Sequence, residues 1–302
     1  MGTPRAGAAR PAAVVALRCI GALAFIVSVP LFSLDWPVAR PVITGTFGED
    51  RGDHFHNGLD IGAGGQEVHP VLPGELVFRY DENDDYGSLP RGTGTTVVLH
   101  HEQNILSIYF HLKDGSLGPI RTSYQPTDTL GIVGDSGRSE GPALHFGVYD
   151  EETGSSINPL TFLPPLADTQ PPVIRRVFLS SGDQRLQLQD GVVVKPGRAV
   201  VLADASDLRE DVKFSWPLAL YIVSLSLDGT QVAKMAFDSL QVTGGKTVVS
   251  GTSLDRAGVY GPDGLLRCGA IDIRAGESHL RVSVRDFAGN ETAREISLTV
   301  RE

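Results

Sequence analysis

The sequence predicts a mostly β protein with two domains. Its 302 residues exceed the usual ~100–200 residues of one domain, and 41% of them are hydrophobic, enough to form a core in each domain. The chain has 35 glycines and 19 prolines, and its Val, Ile, Thr and Leu residues recur in short runs. Such runs, separated by turn-forming residues, are typical of short strands joined by tight turns.

Residues 1–34 have the pattern of a targeting segment. Arg5, Arg10 and Arg18 precede the first acidic residue, and an apolar run follows over residues 19–34. This order is typical of a secretory signal peptide, but the run is close to the ~20 residues of a membrane span and no clear cleavage site follows. A signal peptide and an uncleaved N-terminal membrane anchor both stay open. In either case we expect the rest of the chain to be exported to the periplasm or cell envelope.

Residues 35–165 are predicted to form a β-rich first domain. Segments such as "GELVFRY", "GTTVVLHH" and "NILSIYFHL" alternate with clusters of Gly, Asp, Asn and Pro, and no sustained helical period appears. Two Pro-Pro pairs in "LPPLADTQPPV" favour an extended connector. We therefore place a linker at residues 166–172.

Residues 173–302 are predicted to form a β-sandwich. Short alternating segments such as "YIVSLSLDG" and "HLRVSVRDFAGN" are separated by turn signals, as in sandwich domains. The ending "VRDFAGNETAREISLTV" resembles the last hairpin of bacterial immunoglobulin-like domains. The role of such a domain is open between positioning the first domain and serving as a spacer.

Charge and cysteine content exclude several classes of function. The net charge is −10 and the body of the chain has no basic cluster, so we expect no nucleic-acid partner. Cys19 lies in the targeting segment and Cys268 lies far from it, which argues against a disulfide framework. We expect Cys268 to be a buried or idle thiol.

Histidines are concentrated in the first domain. Seven of the eight lie between His54 and His145, while His279 is isolated and is expected to lie in a strand or turn. In "HFHNGLDIG", the spacing of His56 and Asp60 puts both side chains on one face of either a strand or a helix. Imidazole and carboxylate are common zinc ligands, and a catalytic zinc site uses three protein ligands. We take His145, in a short apolar segment, as the candidate for the third.

Four blocks of the first domain resemble the lysostaphin/LytM-type zinc metalloendopeptidases. They are "TFGEDRGDHFHNGLDIGAGGQEVHPVLPGELVF", "VVLHHEQNILSIYFHL", "GIVGDSGRSEGPALHFGVY" and "INPLTFL", in the family's order, over residues 44–163. The resemblance implies a β-rich LytM-type metallopeptidase domain that uses Zn²⁺ to cut peptide cross-links in peptidoglycan.

The resemblance also implies roles for individual residues. His56, Asp60 and His145 match the zinc ligands, and His111 matches a catalytic histidine near the metal-bound water and the developing oxyanion. Tyr109 matches a common aromatic and is expected to share a strand face with His111. The remaining histidines of this region are expected to be structural or surface residues: His69, His100 and His101.

Ala143 departs from the family pattern. The family has His-Leu-His where this chain has Ala143-Leu144-His145, so the metal ligand is kept and an acid/base histidine is lost; Gly147 also replaces a usual acidic residue. His111 could take over part of the lost role. His54 is a second candidate substitute, although a surface position in its loop is the plainer interpretation.

Two hypotheses for the function follow. In the first, the chain is an exported zinc metalloendopeptidase that acts on peptidoglycan cross-links. In the second, it is an inactive relative that binds the cell wall or regulates another wall hydrolase through the same groove. Residues 80–94 form an acidic loop that either selects the substrate or is simply solvated.

Overall fold

The computed structural model describes residues 34–84, 92–209, 217–261 and 263–302. The predicted targeting segment lies outside this range except for Leu34, as do residues 85–91 of the acidic loop. None of the helices in the described ranges has the length and hydropathy needed to cross a membrane.

The described chain is built almost entirely from strands, which confirms the mostly β prediction. One α-helix, α1 (Arg256–Val259), and two 3-10 helices at Glu102–Asn104 and Pro159–Thr161 are the helical elements of this part. The strands are β1 (Ile43–Gly45), β2 (Leu59–Ile61), β3 (Glu67–Val68), β4 (Gly74–Tyr80), β5 (Thr95–His101), β6 (Ile105–Leu112), β7 (Ser123–Tyr124), β8 (Gly131–Ile132), β9 (Leu144–Asp150), β10 (Ser155–Ile157), β11 (Val173–Ser181), β12 (Gln184–Gln187), β13 (Val192–Val194), β14 (Gly197–Ser206), β15 (Ile222–Leu227), β16 (Thr230–Ala236), β17 (Ser239–Thr243), β18 (Lys246–Val249), β19 (Leu266–Ile273), β20 (Gly276–Arg285) and β21 (Glu291–Val300).

The largest sheet of the described residues has ten strands. Its main order is β18-β17-β10-β9-β6-β5-β4-β7, with β2 paired to the first half of β9 and β1 paired to β2. Strand β9 is paired on both sides and is buried over residues 144–148. A separate two-stranded sheet joins β3 and β8. Apolar side chains of this region form one core, in which Leu59, Leu99, Tyr109 and Phe146 are fully buried.

The C-terminal region is a β-sandwich, as the sequence predicts. A four-stranded sheet has the order β12-β11-β14-β19, and a five-stranded sheet has the order β13-β21-β20-β15-β16. Alternate residues of β20 are buried, and they share one core with residues of the other sheet such as Val177 and Val201. Cys268 lies in this core as a free thiol, and burial raises its pKa to about 12.

The two regions share a sheet. Strands β17 and β18 lie within the C-terminal region of the sequence, yet β17 pairs with β10, so they extend the ten-stranded sheet. Asn158 strengthens the junction: its backbone N–H donates to Asp238 O at 2.8 Å and its side chain donates to Phe237 O at 3.0 Å. The domain boundaries at residues 165 and 173 stay a prediction. Strand pairing and the Asn158 hydrogen bonds connect the two regions more closely than a linker alone would.

A cluster of buried acidic side chains lies beside this junction. Carboxylate oxygens of Asp168, Asp207 and Asp286 lie within 4.8 Å of one another, and Arg209 pairs with Asp168 at 3.1 Å. Burial and the neighbouring Asp286 charge raise the pKa of Asp207 to about 7. The folded protein therefore binds a proton at Asp207 more tightly than the unfolded chain does.

We expect Asp207→Asn to change how stability depends on pH. The stabilising proton on Asp207 is fully present below the ordinary aspartate pKa of 3.8 and is lost as the pH rises through about 7. Asparagine cannot ionise, so the variant should gain about 1–3 kcal/mol in unfolding free energy relative to wild type between pH 5 and pH 8. Urea titrations followed by circular dichroism at both pH values measure this difference. Parallel pH profiles for the two proteins would contradict it.

Candidate metal centre

Three predicted ligands meet at the junction of β2 and β9. Asp60 lies in β2 directly opposite His145 in β9, so both side chains project from the same face of the sheet. His56 lies in the loop before β2 and reaches the same point. The distances are 3.1 Å from His56 Nε2 to Asp60 Oδ1, 3.0 Å from His56 Nε2 to His145 Nδ1, and 3.1 Å from His145 Nδ1 to Asp60 Oδ1.

The tautomer of His56 makes this arrangement suitable for a cation. His56 Nδ1 lies 2.8 Å from the carbonyl oxygen of Thr46, to which it donates, so the neutral ring has a lone pair at Nε2. That lone pair lies 3.1 Å from Asp60 Oδ1, which is also an acceptor. Two acceptors this close repel each other unless a proton or a cation lies between them. The site can therefore hold a metal ion.

Burial adjusts the pKa values of the cluster. His145 is 8% exposed, and burial lowers its pKa, which favours the neutral form that metal binding requires. Burial alone would raise the pKa of Asp60, but its close contacts with the His145 and His56 rings hold it well below the usual range. Asp60 is thus an ionised acceptor.

Gly58 provides space for the cluster. A Cβ atom at this position would lie 2.6 Å from the carbonyl oxygen of Phe146 and 2.7 Å from His145 Nε2. Both distances are shorter than van der Waals contact, so any larger residue would displace the backbone or the His145 ring. This explains the glycine between His56 and Asp60.

His111 lies beside the cluster because its backbone breaks the strand alternation. In the register of β6 and β9, Tyr109 is opposite Phe146 on the core face and Phe110 is opposite His145 on the site face. His111 would follow on the core face, but its φ of 63° turns its ring to within 6.3 Å of the His145 ring centroid. A non-glycine residue in this left-handed region costs about 1–2 kcal/mol, and such strain occurs at functional sites.

The expectation that Tyr109 and His111 share a strand face is therefore wrong. Tyr109 is fully buried, and its hydroxyl accepts a hydrogen bond from Val71 N at 3.0 Å. The ring of Phe110 instead stacks on His145 with a centroid distance of 5.4 Å. The alternation rule failed because it assumes an extended backbone at every position.

The tautomer of His111 is also fixed by a backbone carbonyl. His111 Nδ1 lies 2.9 Å from Ser136 O and donates to it, which leaves the lone pair at Nε2. Burial lowers the pKa of His111, which favours the neutral ring at neutral pH. His111 is therefore ready to accept a proton.

The other histidines of the first region have structural or surface contacts. His101 is buried between Pro73 O at 2.9 Å and Ser107 Oγ at 2.6 Å. His69 contacts Asp128 O, and His100 pairs with Glu151. The side chain of His54 is 64% exposed and contacts Asp53, so its orientation gives no support to a substitute role.

The residues that hold the predicted ligands could not be identified from the sequence. Arg51 Nη2 donates to Asp60 Oδ2 at 2.6 Å and to Glu49 Oε2 at 3.0 Å, so it fixes the carboxylate from the side away from the imidazoles. Burial raises the pKa of Glu49 to about 7. Thr46 and Ser136 act through backbone carbonyls, which carry no residue-type signal; the only sequence sign of this group was the charged run "GEDRGD".

Comparisons with known proteins confirm the resemblance of the first region. Residues 54–159 match the model of Peptidase family M23, and residues 171–301 match a further model that carries no functional description. The Murein hydrolase activator NlpD of Escherichia coli K12 is 30% identical over 138 residues, 45% of this chain and 33% of that protein. Outer membrane antigenic lipoprotein B of Haemophilus influenzae is 28% identical over 130 residues, 43% of this chain and 29% of that protein.

Solved structures with similarity to the chain include two catalytic domains. A catalytic-domain mutant of the prophage-encoded M23 protein EnpA from Enterococcus faecalis is 25% identical, with a TM-score of 0.34, over 40% of this chain and 90% of that one. The catalytic domain of lysostaphin from Staphylococcus simulans is 21% identical, with a TM-score of 0.31, over 40% and 91%. The chain spans about a third of the length of the curated relatives it matches.

We expect Gly58→Ala to disrupt the ligand cluster. The new methyl group must displace His145 or the β9 backbone, which should cost about 1–3 kcal/mol of stability and weaken metal binding. Gly147→Ala is a matched control in β9, because its Cβ atom would lie at an ordinary 3.5 Å from Ile108 Cβ. Thermal unfolding with and without added zinc measures both effects. Equal behaviour of the two variants would contradict the role given to Gly58.

Proposed function

We propose that this chain, whose residues 54–159 match Peptidase family M23, is an exported zinc metalloendopeptidase-like protein that acts on peptide cross-links of bacterial peptidoglycan. The observation that carries the proposal is the convergence of His56, Asp60 and His145 with His111 beside them.

We assign the protein to the periplasm or cell envelope. The names of its relatives, which include a murein hydrolase activator and an outer membrane antigenic lipoprotein, support this location.

Zinc fits the donor set of the proposed metal site. Two neutral imidazoles and one carboxylate are typical of catalytic zinc, and donor atoms of a tetrahedral ion at ~2.0–2.1 Å would lie about 3.3 Å apart, close to the separations in this cluster. When bound, zinc supplies Lewis acidity, which polarises a peptide carbonyl and makes a water molecule a stronger acid. Arg51 and Thr46 hold Asp60 and His56 in the orientation that this chemistry needs.

We assign His111 the role of proton acceptor. Its Nδ1–H donates a hydrogen bond to Ser136 O, so Nε2 carries the lone pair that can take a proton from the attacking water. Once protonated, the same nitrogen can donate to the developing oxyanion or to the leaving amine. One histidine can thus serve in turn as base and as acid.

The methyl side chain of Ala143 cannot take part in proton transfer. A positioned acid/base group contributes roughly 10²–10⁴-fold to the rate of a hydrolysis. We therefore expect an activity lower than that of a relative with both histidines. The low activity would come from missing proton transfer and not from loss of metal.

The second candidate function is regulation of another wall hydrolase or binding to the cell wall without catalysis. Ala143 favours it, because loss of a catalytic histidine matters little for binding. The activator name of the Escherichia coli relative is a second point in its favour, although only a third of that protein is matched. Retention of all three predicted ligands and of His111 favours catalysis.

Incubation of the full-length, zinc-loaded protein with purified peptidoglycan tests the first proposal. We expect new peptide cross-link cleavage products in mass spectra, because the metal ligands and His111 are all present. His145→Ala should abolish them through loss of a ligand.

An absence of products despite one bound zinc ion per chain would contradict the enzymatic proposal. Peptidoglycan pelleting and assays with added wall hydrolases would then examine the second candidate. Products that persist in His145→Ala would point to a contaminating hydrolase.

Restoring a histidine at position 143 tests the assignment of Ala143. We expect Ala143→His to raise the cleavage rate by at least tenfold, since a second acid/base group is worth roughly 10²–10⁴-fold when well positioned. Ala143→Asn is the matched control, because it adds a polar side chain that cannot take up a proton at neutral pH. Equal rates for the two variants would show that proton transfer is not what limits the reaction.

A further inference from the structure

The loop that leads to His56 is packed against the C-terminal region. We call residues 46–55 the ligand loop. Phe47 and Phe55 in this loop are each 2% exposed, and both belong to the core of the C-terminal sandwich and not to the core of the first region. The conformation of the loop therefore depends on a core that is formed mainly by later parts of the chain.

Polar contacts from the C-terminal region hold the same loop at three points. Arg256 in α1 binds both oxygens of Asp50, with Nε at 2.6 Å and Nη2 at 2.5 Å. The Tyr260 hydroxyl donates to Gly48 O at 2.9 Å, and Ala219 N donates to Thr46 Oγ1 at 2.8 Å. A bidentate arginine–carboxylate pair fixes orientation as well as distance.

Aromatic side chains of the C-terminal region also pack against the ligand loop. Phe237, which is fully buried, lies 6.1 Å from Phe55 in an edge-to-face arrangement, and Tyr260 lies 6.2 Å from Phe55. Gly48 has a φ of 88°, and a Cβ atom there would lie 2.4 Å from the Phe237 ring. The glycine is needed both for its backbone conformation and for close approach of this ring.

The ligand loop in turn forms the frame around His56. Thr46 O accepts from His56 Nδ1 at 2.8 Å, Gly48 N donates to His56 O at 2.8 Å, and His56 N donates to Glu49 O at 2.9 Å. Two of these three residues, Thr46 and Gly48, are also held directly by the C-terminal region. Tyr260 is thus linked through Gly48 to the backbone of His56. Arg256 holds Asp50, which pairs with Phe55, the residue before His56. The imidazole itself is reached through Thr46, which Ala219 holds.

We propose that the C-terminal domain contributes to the metal centre. Arg256 and Tyr260 are positioning residues that hold the ligand loop and thereby set the affinity of the metal centre for zinc. The inference rests on the proposed function in one respect, that the cluster binds zinc. It goes beyond that function because it gives the second domain a role that neither wall binding nor spacing supplies. Loss of contacts that orient metal ligands typically weakens metal binding about 10–100-fold.

Zinc affinity of full-length variants tests the proposal. We expect Arg256→Gln and Tyr260→Phe each to weaken zinc binding, and the double variant to weaken it by about 10–100-fold, in competition titrations with a chromogenic chelator. Tyr260→Phe removes a single hydroxyl, so it retains the aromatic packing. Arg281→Gln is the matched control, because Arg281 forms an ion pair with Glu295 at 2.7 Å on the exposed side of the sandwich.

Hydrogen exchange provides a readout that is independent of zinc and of activity. Peptides over residues 46–56 should exchange faster in the two positioning variants, while peptides over β20 and β21 should keep the wild-type rate. Faster exchange in every peptide would show general destabilisation and would overturn a local positioning role.

Different experimental results would contradict this proposal and the proposed function. Wild-type zinc affinity in the double variant, within twofold, would overturn the positioning role while leaving the metal site intact. An equal loss in Arg281→Gln would also overturn it. A wild-type protein that binds no zinc would overturn the metal assignment, and with it this proposal.

Discussion

The hydrogen bond from His56 Nδ1 to Thr46 O is the interaction on which the rest of the site depends. It places the lone pair of His56 at Nε2, within about 3 Å of Asp60 Oδ1 and His145 Nδ1. Without it the imidazole could turn or present its N–H to the carboxylate, and the cluster would be an ordinary hydrogen-bonded group. A backbone carbonyl thus orients the ring of one of the three proposed metal ligands.

The two regions of the fold contribute different parts of this arrangement. The ten-stranded sheet sets Asp60 opposite His145 by strand register, which is a rigid and local constraint. His56 lies outside any strand, so its position must come from the loop and from whatever holds the loop. Since Arg256, Tyr260 and Phe237 supply those contacts, the sandwich and the strands β17 and β18 take part in the geometry of the site.

Sequence patterns could predict the fold class, and could suggest His56 and Asp60 as candidate ligands, because both inferences use local features. Alternating runs and turn residues indicate strands, and the His56–Asp60 spacing is compatible with a shared face in any regular structure. Pairing is not local: Asp60 and His145 are 85 residues apart, and nothing in the pattern of β17 distinguishes a strand of the sandwich from one that joins β10. The left-handed backbone at His111 could not be predicted either, because histidine is not a residue type that indicates a turn.

Supporting contacts were the least predictable part of the site. Arg51 lies in the charged run "GEDRGD", which gives no sign of a contact with Asp60, because that contact depends on how the loop folds back. Long-range contacts such as that between Arg256 and Asp50, 206 residues apart, have no signature in a single sequence. These contacts nevertheless hold Asp60 and the loop that leads to His56, two of the proposed ligands.

X-ray absorption at the zinc edge of the full-length, zinc-loaded protein tests the central claim most directly. The account predicts nitrogen and oxygen ligands at ~2.0–2.1 Å, with outer-shell scattering from two imidazoles that falls to one in His145→Ala. A sulfur ligand near ~2.3 Å, or an imidazole count unchanged by that substitution, would show that zinc binds elsewhere and would contradict the account.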